Sequence, residues 1–177
     1  MNLIFRLIRV ILAGLMAPPR TGGFSESVLD FRVWPTDLDV NLHMTNARYL
    51  SIFDLGRADL MVRHRALRLF LKNGWRPMLG GATVRFRRPL APLQRFRVIS
   101  RVVGWDAKWF YMEHRIESHE GLVALALMRG VFYGRGRVEP PEKVMHALGH
   151  RGDSPPLPAV IQSWRELEMN VDQMLAE

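Results

Sequence analysis

The chain has 177 residues, room for one domain with a full core plus terminal extensions, and 48% of them are hydrophobic, which excludes a disordered chain. It has no cysteine, which excludes disulfides, thiol nucleophiles and thiolate metal sites. The net charge is +8, with only three lysines among 25 basic residues; the arginines are dispersed and form no long like-charge run, so they mark a basic surface rather than a nucleic-acid binder.

Leu3 to Met16 is apolar apart from Arg6 and Arg9, which share one narrow helical stripe with Asn2 and Ala13. Such a helix is roughly 21 Å long, short of the ~30 Å hydrocarbon layer, and two arginines oppose spanning. Arg6 and Arg9 also interrupt any signal-peptide centre, and Pro18-Pro19 ends the helix. Two readings stand: an amphipathic helix lying on the cytoplasmic membrane face through residues 2–17, or an N-terminal helix packed on its own domain or a partner subunit. Residues 20–26 read as a linker. Ser27 to Trp34 alternates as a strand, and Pro35 stops it.

From Asn46 to Lys72 the apolar positions Tyr49, Ile52, Phe53, Leu60, Leu67 and Leu71 recur at helical spacing, predicting one helix of roughly 40 Å. Thr45 or Asn46 caps its start and Asn73-Gly74 its end, while Gly56 in the middle marks either a close approach to a sheet or a simply tolerated glycine. Four β-like runs follow, over 78–89, 93–105, 108–118 and 122–133, joined by turn-forming segments at Gly104–Ala107 and His119–Gly121. A short helix to Leu148, a proline-bearing loop and a last amphipathic helix over 159–175 complete the chain. The plan is α+β, an antiparallel sheet wrapped around one long helix with extra N- and C-terminal helices. It divides into residues 1–26, a domain over 27–138 and a helical extension over 139–177.

No phosphate-binding glycine loop, His-Glu-x-x-His helix or serine-hydrolase elbow occurs, so the chemistry centres on Asp37, Asp39, His43, Asn46 and Tyr49, just before and inside the long helix. A carboxylate beside a helix start has backbone N–H donors and the positive dipole end close by, an arrangement suited to holding a carbonyl oxygen while its carbon is attacked. The order Asp-x-Asp-x-x-x-His-x-x-Asn-x-x-Tyr resembles hot-dog fold thioesterases of the 4-hydroxybenzoyl-CoA thioesterase-like branch. The resemblance covers about residues 27–135. It implies hydrolysis of acyl-CoA thioesters without metal or cofactor, in a homodimer or higher homo-oligomer with the site at the subunit boundary.

By the same resemblance Asp39 is the catalytic carboxylate, as nucleophile or as base for water. A backbone N–H at or near Asn46 polarises the carbonyl. His43 orients Asp39 or the loop, or makes a purely structural hydrogen bond there; Tyr49 lines the acyl site or packs in the core; Asp54 lines the acyl site or faces solvent; and Lys108 meets the CoA phosphates across the dimer. The alternative is a non-catalytic protein of the same fold that binds acyl chains or lipids at a membrane surface. One departure stands out: Leu42 occupies a place where glycine is frequent, so a left-handed backbone there is strained.

Overall fold

The computed structural model describes residues 2–18 and 25–174; the linker reading therefore lies, for residues 20–24, outside the described residues, as does Leu175 of the last helix. Helix α1 (Asn2–Met16) precedes strand β1 (Ser27–Arg32) and a single 3-10 turn (Pro35–Asp37). Helices α2 (Asn46–Arg63) and α3 (Ala66–Asn73) come next, then β2 (Arg76–Phe86), β3 (Arg95–Trp105), β4 (Phe110–Ser118) and β5 (Gly121–Gly134). A short β6 (Arg137–Glu139), α4 (Pro141–Ala147) and α5 (Ala159–Met174) end it. The strands pair antiparallel in the order β1-β3-β4-β5-β2, with β6 added to β5.

The sheet wraps α2. Ile52, Phe53 and Leu55 of the helix are buried against Val33, Phe96, Val98, Ile116, Ala124 and Ala126. Small residues set how closely the helix sits: a Cβ on Gly56 would lie 2.1 Å from Ser100 Oγ, so only glycine fits there. The expected close approach to a sheet is what Gly56 provides.

The expected single helix over 46–72 is two. The chain breaks at His64-Arg65, where Arg65 takes a left-handed backbone with φ 54°. The break redirects α3 so that Ala66 and Phe70 join a second cluster with Trp75, Phe110 and Met145. The Arg65 guanidinium is then placed to donate to the carbonyls of Leu15 and Ala17, at the open end of α1. Gly74, with φ 66°, closes α3 as the Asn73-Gly74 pair predicts.

The two sheet edges are treated differently. At β1, Arg6 and Arg9 of α1 donate to the free carbonyls of Arg32 and Asp30, at 2.9 and 3.1 Å, and so cover the strand's outer rim. At β2, every residue is exposed or half-buried, and Met78, Leu79 and Phe86 stand in solvent. On the sheet's outer face α5 buries Ile161 and Trp164 against Tyr111 and Leu127. Arg129 lies over the Trp109 and Trp164 rings and pairs with Glu168.

Helix α1 packs on the domain, with Val10 in the core and Gly14 against Val62. Arg6 does not face solvent with Arg9, as the polar stripe implies; it turns inward and is buried. Ile4, Phe5, Ile8, Leu12, Leu15 and Met16 point outward instead. No helix of the described residues is long and apolar enough to cross a membrane.

Candidate active site

The segment between β1 and α2 is a tight, doubly anchored turn. Asp37 is fully buried; its carboxylate accepts hydrogen bonds from Arg6 at 2.6 Å and the Trp34 N–H at 2.9 Å and forms an ion pair with Arg48 at 3.1 Å. Its carbonyl accepts the Thr45 N–H at 2.9 Å, and a bridge joins Leu38 to Met44. Asp37 is thus the structural anchor of the turn. The Arg6 contribution, from 31 residues earlier in the chain, has no local signal in the sequence.

Asp39 sits at the mouth of the turn. Its N–H donates to the His43 carbonyl at 2.9 Å, and its Oδ1 accepts the N–H of Asn41 at 2.8 Å and of His43 at 3.3 Å. The carboxylate is therefore held by one oxygen, an Asx-type turn that aims the group. His43 orients Asp39 through its main-chain N–H, while its imidazole is exposed. Leu42 closes the turn with φ 57°, in the left-handed region where glycine is favoured.

Asn46 opens α2 with an exposed side chain, and Thr45 makes no side-chain cap, so the first amides of the helix are open to a ligand. Tyr49 is buried: its ring packs edge-on to Phe86 at 5.1 Å. Burial, moderated by a main-chain hydrogen bond at Leu90, raises its phenol above the usual range. Asp39, His43 and Asn46 thus share one turn. Within a single chain Asp39 is exposed, rather than turned into a cavity as the sequence reading requires.

Asp54 and Lys108 lie elsewhere. Asp54 is 59% exposed, pairs with Arg57, and stands at the rim of a cavity of about 350 Å³. This cavity is mostly apolar; Met61, Met78, Met112, Met128 and Met145 line it, and burial lowers the basicity of Arg57 at its wall. Sequence reasoning missed it because its lining comes from α2, α3, α4 and four strands. Lys108 lies in the β3–β4 turn over Trp109. The motif turn is at the opposite end of the eleven-residue β3, beside Gln94, so roughly 30 Å separates the two in one chain. Among the described residues no group of three or more His, Asp or Glu could hold a metal ion.

A sheet curled around one helix, with a carboxylate delivered to that helix's first turn, defines an α+β hot-dog domain. The chain belongs to the thioesterase-like superfamily, which it matches over residues 33–164. It is 31% identical over 148 residues to Protein THEM6 of Danio rerio, covering 79% of this chain and 69% of that one. Probable thioesterase YBR096W of Saccharomyces cerevisiae is 32% identical over 108 residues, 60% of this chain and 46% of that one. The YbaW probable thioesterase of Escherichia coli shares the fold, with a TM-score of 0.64 at 21% identity over 68% of this chain and 95% of that structure. Family and relatives assign the chain to thioesterase chemistry in general terms.

Proposed function

We propose that the protein hydrolyses acyl-CoA thioesters to the free acid and CoA, with Asp39 as the reacting carboxylate. One observation carries this reading: the Asp39 carboxylate is fixed by two amides of its own turn, directly before an uncapped helix N-terminus. A thioester carbonyl oxygen bound at the first amides of α2 is polarised by them. The Asp39 oxygen left without loop amides then either adds to the carbonyl carbon, expelling thiolate, or takes a proton from an attacking water. Thiolate is a good leaving group, so a strong acid at the sulfur is not required. Trapping with hydroxylamine separates the routes when it is read as a hydroxamate on Asp39 itself, since hydroxylamine also cleaves thioesters directly and only the first route passes through an acid anhydride at that residue.

The exposure of Asp39 fits a site completed by a second subunit. The open β2 edge is the natural joint: two copies pair there antiparallel about a two-fold axis. Such pairing sets the C-terminal end of β2, where Phe86 packs on Tyr49, against the N-terminal end of the partner's β2. At that end Pro77, Met78 and Leu79 line the apolar cavity. Asp39 of one subunit then faces the cavity of the other, which takes the acyl chain, and Lys108 reaches CoA only across the dimer.

Asp39→Asn is the decisive variant. Acyl-CoA turnover, followed as released thiol, falls by at least ~10²-fold while thermal unfolding is unchanged. If wild-type protein turns over no chain length yet retains fatty acid, the chain is instead a non-catalytic acyl-binding member of the fold; the methionine-lined cavity is the feature that favours that second reading. The outward apolar face of α1 supports peripheral contact with a membrane in either case.

A further inference from the structure

Beside α1 runs an open groove of about 560 Å³ between the helix and the β1–β3 edge. Arg9, Arg32 and Arg95 stand in it, with Phe5 and Trp34 at its sides. Arg32 and Arg95 are directly opposed in the β1–β3 register, so two cationic side chains share one patch of the sheet. The groove's one acid, Asp30, is already paired with Arg97 at 3.2 Å. Among the described residues no carboxylate lies within 4 Å of the Arg9, Arg32 or Arg95 guanidinium. Like charges held opposite one another on a sheet cost stability unless something neutralises them.

We propose that this groove binds the phosphate of an anionic phospholipid while the outer face of α1 enters the acyl layer of the same membrane. The proposal rests on the peripheral-membrane reading above and adds to it the site and the headgroup chemistry. Phe5 belongs to both surfaces: it lines the groove and begins the exposed arc that continues through Ile8, Leu12 and Met16. Trp34, 51% exposed, adds an amphipathic ring at the level where the charged and apolar surfaces meet. The core side of α1 carries Leu3, Val10 and Gly14 together with Arg6, fixed to Asp37, yet a second apolar arc faces out instead of a polar face. An outward apolar arc flanked by cations that lack a carboxylate partner among the described residues fits a lipid surface with phosphates beside it. A guanidinium suits a phosphate diester, offering two parallel N–H donors to two oxygens.

The test is flotation of the full chain with phosphatidylcholine vesicles, with and without phosphatidylglycerol. Wild-type protein binds the anionic vesicles more tightly, and added salt removes the difference. Arg32→Gln and Arg95→Gln each lower partition onto anionic vesicles by roughly fivefold and leave partition onto neutral vesicles unchanged. Leu12→Asp weakens binding to both. Equal binding of wild type to the two vesicle types, or anionic binding that the arginine variants do not alter, overturns the headgroup groove while leaving the peripheral-membrane reading in place. Absence of binding to any vesicle overturns both. Competition by soluble glycerol phosphate as strong as that by the vesicles identifies a free phosphate ester as the ligand and overturns the lipid assignment.

Discussion

Leu42 carries a left-handed backbone without the residue that tolerates it. An L side chain there costs about 1–2 kcal/mol, and Leu42 is 65% exposed, so in the single chain it recovers little by packing. Leu42→Gly relieves that strain but gives back some unfolded-chain entropy; it is expected to stabilise by about 0.5–1 kcal/mol, read from denaturant midpoints. His114 presents a different tension. It is buried beneath Phe53, one ring nitrogen meets Ser100 at 2.7 Å, and Nε2 has no hydrogen-bond partner among the described residues. Burial, with the nearby Arg57 charge as a second cause, pushes the imidazole from 6.5 down to about 3. Between those values the unfolded chain takes up a proton that the folded chain refuses, so stability is fully present above pH 6.5 and falls on acidification toward pH 3. The expected slope is about 1.4 kcal/mol per pH unit. In His114→Leu that component of the acid limb disappears, so unfolding midpoints from pH 7 to 4 converge on the wild type as pH drops.

Helix α2 shows what periodicity reveals and what it hides. Gly56 was half legible: a glycine in the middle of a strongly periodic helix costs about 1 kcal/mol relative to alanine, and the sequence allowed either a close approach to a sheet or a merely tolerated glycine. Gly56→Ala is expected to destabilise by about 1–2 kcal/mol despite its better helix propensity, since the added Cβ meets Ser100 Oγ. Ser100→Gly in the same chain restores part of that loss, measured as a double-mutant cycle. The break at His64-Arg65 was not legible. The apolar spacing runs on through Leu60, Leu67 and Leu71, and no glycine or proline marks the turn; an arginine takes the left-handed conformation there, and its side chain reaches the last carbonyls of α1. The strands were read closely because Ala82–Arg87 and Phe96–Val102 alternate, whereas the three-residue β6 has too little sequence to show a period. The inward turn of Arg6 escaped because its partner, Asp37, is distant in the chain and burial reverses the preference of an arginine for solvent.

At the scale of the molecule, the motif turn was readable and the cavity was not. Asp37, Asp39, His43 and Asn46 lie within ten residues, and local hydrogen bonds arrange them; the methionines of the cavity are spread over 85 residues and meet only when the sheet curls. In the proposed dimer the exposed β2 edge ties the two together. Leu79→Lys puts a charge on that edge, and the expected result is a monomer by sedimentation with acyl-CoA turnover lost although Asp39 is untouched; a dimer with full activity sinks the shared-site proposal. The arginines of α1 give this arrangement a further property. Arg6 and Arg9 occupy the Arg32 and Asp30 carbonyls at the β1 edge, so the β2 edge is the more open of the two. In the dimer proposed above, strand addition would then stop at two copies, and the helix that shows its greasy side to the outside would also keep a curled sheet with an apolar free edge from polymerising into a fibre.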